Sequence, residues 1–104
     1  MKYKGKLLLI HNNIATSILD TIGNTPLIKI DKIFAKLETT NPTGSIKDRV
    51  VWYLVKKAEE QGELKKGATI LEVTSGNTGI SLAMISAIRD YRFIAIMPDS
   101  LIKD

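Results

Sequence analysis

The sequence contains no cysteine. That excludes disulfide scaffolds, thiolate zinc sites, iron–sulfur ligation and cysteine nucleophiles together. His11 is the single histidine, which argues against a Ser–His–Asp triad or a multi-histidine metal site. No long apolar run occurs. Residues 7–10 are apolar and follow the basic stretch Lys2, Lys4 and Lys6, but His11 ends the run. A secretory core needs about 7–15 residues and a membrane helix about 20. A cytoplasmic, soluble chain is the expectation. There is no repeat, low-complexity stretch or linker, and no Gly-x-x-x-x-Gly-Lys-Ser/Thr phosphate loop. Gly76 and Gly79 lack the third glycine of a dinucleotide fingerprint, because Thr74 stands in its place.

What is present is ordinary globular composition. The 104 residues are 44% hydrophobic and 25% charged, which suits a single modest core. The formal charge of +4 is spread along the chain, so neither a nucleic-acid nor a membrane partner is expected.

Two short isoleucine-rich runs, residues 27–30 and 33–37, predict strands. Asp31-Lys32 between them is not a favoured two-residue hairpin turn. The loop Asn41-Pro42-Thr43-Gly44 precedes a helix, where Ser45 and Asp48 have the spacing of a capping box. Val50, Val51, Leu54, Val55 and Ala58 share one helical face, and Gly62 is a natural stop. Residues 68–73 predict a buried strand, 80–88 an almost wholly apolar, well-buried helix, and 92–97 a further strand. Alternating helix and strand from residue 47 imply an α/β class with a parallel sheet.

Two segments can carry chemistry. Lys47 lies in the first turn of a helix, where the positive end of the dipole favours a neutral, nucleophilic amine. A neutral amine can condense with a carbonyl cofactor, although a solvated surface lysine is the commoner meaning of such a position. Thr74-Ser75-Gly76-Asn77-Thr78-Gly79 joins a strand to a helix N-terminus, a natural anion site at the carboxyl end of a strand. A plain helix cap, with Ser75 or Asn77 as the capping residue, explains the same residues.

Taken together, Thr21-Ile22-Gly23-Asn24-Thr25-Pro26-Leu27, Lys36-Leu37-Glu38, Asn41 through Arg49, Thr74 through Gly79 and Met97-Pro98-Asp99 resemble the N-terminal part of cysteine synthases (O-acetylserine sulfhydrylases). These are fold-type II pyridoxal-phosphate (PLP) enzymes, related to cystathionine β-synthase. The resemblance implies a partial doubly wound parallel sheet. It implies that Lys47 binds PLP covalently and takes the substrate α-proton, and that Asn77 hydrogen-bonds the cofactor's phenolic oxygen. It implies that Thr74, Ser75, Gly76, Asn77 and Thr78 grip the substrate carboxylate. The implied reaction is replacement of the acetate of O-acetylserine by sulfide, with PLP as electron sink.

Family members are longer. Residues 1–104 are therefore expected to form one truncated domain lacking the phosphate cradle and the serine facing the pyridine nitrogen, and to be inactive alone. The alternatives are a non-catalytic module receiving the C-terminal tail of serine acetyltransferase, or half of a split enzyme. Exposed strand edges predict self-association. Three departures from the family pattern stand out: Asp90 in place of a glycine, Ile102 in place of a serine, and the short Asp31-Lys32 connection.

Overall fold

The computed structural model describes residues 14–101. The basic and apolar stretch at residues 2–10, with His11, lies outside the described residues, as does Ile102. Strands β1 (Leu27–Ile30) and β2 (Ile33–Lys36) form an antiparallel hairpin with Ile30 opposite Ile33. Helix α1 (Lys47–Glu60), strand β3 (Thr69–Val73), helix α2 (Asn77–Arg89) and strand β4 (Arg92–Ile96) follow. β3 and β4 pair in parallel from Thr69 opposite Arg92 to Val73 opposite Ile96, joined by α2 as the crossover that parallel strands require. The α/β class with a parallel sheet holds, as a two-stranded parallel pair beside a separate hairpin.

The hairpin closes on Asp31-Lys32 because Asp31 takes a positive φ of 54°. Its short side chain tolerates that region better than most. Asp90 does the same at the end of α2, with φ 67° and ψ 39°. Its N–H bonds Ser86 O, and its carboxylate lies 3.4 Å from Lys66 Nζ. The aspartate thus performs the helix-ending role that glycine usually fills.

The core forms where α1 and α2 meet. Val51 and Val55 of α1 pack with Leu82 and Ile85 of α2 and with Leu19 from a 3₁₀ turn at Ile18–Thr21. Burying each such side chain contributes roughly 1.5–3 kcal/mol. Burial is narrower than the apolar pattern predicts. On α1, Val50 and Leu54 stay exposed beside the buried Val51 and Val55. On α2 the buried face is Ser81, Leu82, Ile85 and Ser86, while Ile80 and Ile88 are exposed. β3 is not a buried strand: Leu71 is 59% and Val73 74% exposed. The pattern marks surface that calls for a cover; among the described residues the helix pair has one, Ile70 of β3 and Phe93 of β4 are partly covered against it, and much of the rest is open.

Cross-links fix how the helices run. Asp48 near the start of α1 accepts from Ser81 near the start of α2. Glu59 near the end of α1 accepts from Arg89 at the end of α2. The helices therefore run in the same direction, and both N-termini lie at one end. Because α2 follows the carboxyl end of β3, that end is also where α/β sheets receive ligands.

Candidate functional site

Lys47 opens α1, and its N–H donates to Ser45 Oγ at 3.1 Å. Its side chain is exposed, and among the described residues its amine has no ion-pair partner. The capping box expected from Ser45 and Asp48 does not form. Asp48 is fully buried and reaches past Ser45: Oδ2 accepts from Thr43 N–H at 2.7 Å, and Oδ1 accepts from Thr43 Oγ1 at 2.5 Å and Ser81 Oγ at 2.6 Å. A buried carboxylate needs such donors, and a second helix supplies one.

The next residue, Arg49, holds a second network. Its guanidinium forks onto Glu38, Nε to Oε1 at 2.9 Å and Nη2 to Oε2 at 3.0 Å, and Nη2 also reaches Thr25 Oγ1 at 3.1 Å. Thr25 Oγ1 donates to Glu38 Oε2 at 2.7 Å. Asn41 Nδ2 donates to Glu38 Oε1 at 2.8 Å, and Asn41 Oδ1 accepts from Gly23 N–H at 2.8 Å. Thr25 foremost, then Arg49 and Asn41, holds the Glu38 carboxyl below the usual carboxylate range against the opposing effect of burial. The motifs around Gly23, Glu38, Asn41 and Arg49 thus converge on one carboxylate and brace the helix that carries Lys47.

The loop at residues 74–79 is shaped from within. Thr74 is buried, and its Oγ1 accepts from Gly79 N–H at 2.9 Å and Gly76 N–H at 3.4 Å. Neither Ser75 nor Asn77 caps α2; Gly76 occupies the cap position without a side-chain bond, and Thr74 does the work from two residues back. Ser75, Gly76 and Asn77 are exposed, and Thr78 is half-buried. The backbone N–H groups of Ser75, Asn77 and Thr78 have no acceptor among the described residues. Donors at a helix N-terminus favour an anion.

The Asp48–Ser81 bond brings the first turn of α1 beside the first turns of α2, so Lys47 and the loop share one end of the molecule. Thr74, Ser75, Gly76, Gly79, Ile80 and Met97 line part of a cavity of about 330 Å³ beside the loop, which Lys47 and Asn77 do not line. Lys47 and Asn77 lie on an open face, while Ser75 borders the cavity and Thr78 is half-buried. The residue type at position 81 carried a signal that sequence reasoning missed: a serine on the inward face of an apolar helix favours a polar partner, and Ser81 finds one in Asp48, whereas the buried Ser86 Oγ has none among the described residues.

Among the described residues no helix is long and apolar enough to cross a membrane, and no cluster of three or more His, Asp or Glu side chains suits a metal ion.

A family model described as "Pyridoxal-phosphate dependent enzyme" matches residues 18–103. A cysteine synthase from Flavobacterium is 49% identical over 90 residues, covering 80% of this chain and 29% of its own. A cystathionine beta-synthase from Apis mellifera is 46% identical over 101 residues, covering 88% of this chain and 20% of its own. The crystal structure of O-ureido-L-serine synthase matches with a TM-score of 0.78 and 48% identity, over 84% of this chain and 30% of that one. The chain spans less than a third of the length of each of these three relatives.

Proposed function

The chain belongs to the pyridoxal-phosphate dependent enzymes, and from that premise we propose that it carries the cofactor lysine and the substrate-carboxylate loop of a cysteine synthase. PLP is implied by the family, and the donor set suits it. An exposed amine without an ion-pair partner stands at one helix N-terminus, and unengaged N–H groups stand at the next. Lys47 would hold the group through its amine, and Asn77 would hydrogen-bond its ring oxygen. When bound, PLP supplies an electron sink for the carbanion formed at the substrate α-carbon.

The chain's own residues do the rest. The N–H groups of Ser75, Asn77 and Thr78 bind the α-carboxylate of an amino-acid substrate and are aided by the α2 dipole. Thr74, turned inward, accepts from the Gly76 and Gly79 N–H groups and so fixes the arc of the loop between them, and Gly76 lets the ligand approach the backbone closely. The Lys47 amine takes the α-proton from a substrate oriented by its carboxylate. The substrate pair is O-acetylserine and sulfide, giving cysteine and acetate. One observation carries this reading: the bond from Asp48 to Ser81, which sets the lysine's helix and the anion-binding loop at the same end.

The same N–H groups fit the terminal carboxylate of a peptide, so the tail of serine acetyltransferase is a second occupant of this loop. The exposed strands favour self-association of what is read as one domain over residues 1–104, or its completion by a further chain, with the cytoplasm as its compartment.

The test is to add PLP to the 104-residue chain, reduce with borohydride and map the modified lysines by mass spectrometry, with Lys47→Ala in parallel. Modification concentrated on Lys47, and reduced by O-acetylserine, is the expected result. Uniform modification of surface lysines, unchanged in the variant, rejects the reading.

A further inference from the structure

We infer that Asp48 is a positioning residue: its buried carboxylate, bonded to Thr43 and Ser81 at once, fixes the first turn of α1 against α2 and so sets the Lys47 amine relative to the loop at residues 74–79. The inference deepens the function proposed above and rests on it for the roles of Lys47 and the loop.

Three observations carry it. First, Asp48 has no solvent exposure, yet an acidic residue in a helix's first turn stabilises that helix well enough from the surface. Its burial costs desolvation that only the donors around it offset, so its position depends on them. Second, its contacts fix direction as well as distance. Oδ2 takes the Thr43 N–H, and Oδ1 takes both hydroxyls, Thr43 Oγ1 and Ser81 Oγ. A carboxylate held at both oxygens cannot rotate without leaving a buried donor unpaired. Third, its partners bracket the site. Thr43 lies in the loop leading to Lys47, one peptide bond links Lys47 to Asp48, and Ser81 stands one helical turn beyond Asn77. Displacement of the first turn of either helix breaks this bond before any other side-chain hydrogen bond between the helices. The remaining ones gather on Glu59 at the far end, with Arg89.

The test reads the environment of Lys47 without PLP. Trace reductive methylation with formaldehyde and cyanoborohydride, quantified by mass spectrometry, gives the reactivity of Lys47 relative to Lys29, an exposed lysine on β1. The wild-type chain is compared with Ser81→Ala, Asp48→Asn and Glu59→Gln, each checked for native helix content by circular dichroism. Glu59→Gln breaks the far-end link and controls for general loosening. A change of twofold or more in the Lys47 to Lys29 ratio in Ser81→Ala and Asp48→Asn, with the wild-type ratio kept in Glu59→Gln, is expected. An unchanged ratio in Ser81→Ala overturns the inference, and so does an equal change in Glu59→Gln. If Asp48→Asn fails to fold, Ser81→Ala decides alone, since it keeps the carboxylate and both Thr43 bonds. Failure of PLP to select Lys47 in the wild-type chain rejects the functional reading instead, so the two failures are told apart.

Discussion

A methyl group on position 79 would sit 2.8 Å from Thr74 Cγ2 and 3.1 Å from Thr74 Oγ1. Thr74 cannot yield, because its hydroxyl accepts from the N–H groups of Gly76 and Gly79. Gly79→Ala is therefore expected to destabilise the chain by about 1–3 kcal/mol, as overpacking of a tight site does. Urea denaturation checks this, and a midpoint equal to wild type would show that the turn has slack. At this scale the sequence was informative about residue types and silent about partners. Glycine and hydroxyl residues after a strand predict a tight turn, and Lys47 reads as a first-turn helix residue, which is where α1 begins. That Thr74 rather than Ser75 or Asn77 would satisfy the helix N-terminus was not readable, because several hydroxyl and amide side chains there could accept the same N–H groups. Asp48 was misread for a related reason. Spacing suggests a cap with Ser45, while the carboxylate instead takes Thr43, five residues back, and Ser81, 33 residues on.

At the scale of elements, the far end of the helix pair is a titrating unit. Arg89 foremost, with Tyr91, holds the Glu59 carboxyl below its usual range against some burial. Burial foremost, then the bond to Glu59, pushes the Tyr91 phenol up to about 12. The signs differ. Stability from Glu59 is present above its ordinary value of 4.5 and is lost as pH falls through its lowered folded value. Stability from the Tyr91 phenol is present below its ordinary value of 10.0 and is lost as pH rises toward about 12. The urea midpoint should be flat between these windows and fall on either side. Glu59→Gln should shrink the acid limb, leaving the contribution of Glu38, and lower the plateau by about 1 kcal/mol or less, because Arg89 is nearly half exposed and solvent screens the pair. Tyr91→Phe should flatten the alkaline limb. Identical pH profiles for wild type and Glu59→Gln would refute the linkage. The elements themselves were the most legible part of the sequence. β1, α1, β3 and β4 stand within a few residues of where period and turn residues put them. α2 begins three residues before the apolar run does, because its first turn consists of the small and polar residues Asn77, Thr78 and Gly79.

At the scale of the whole molecule, amphipathic patterning overestimated burial. Phe34 is 64% exposed, Leu27 and Ile33 63% each, and Leu54 60%. Pattern reports which side chains favour burial, not whether a neighbour exists to bury them. Apolar strands with open edges favour pairing with other chains. Sedimentation equilibrium of the pure chain should give a mass that rises with concentration above the 11.5 kDa of one copy. A constant mass of one copy at all concentrations would refute self-association.

The two links between α1 and α2, Asp48 to Ser81 and Glu59 to Arg89, have a further consequence for motion. A pair of rods tied at both ends opens as one body or not at all. Amide protons in the two helices should therefore exchange with solvent as one slow cooperative group, with an opening free energy near that of global unfolding. The β1–β2 hairpin, whose strand residues are nearly all exposed, should exchange on a faster clock of its own. The end that holds Lys47 would then keep its geometry while the hairpin opens and closes.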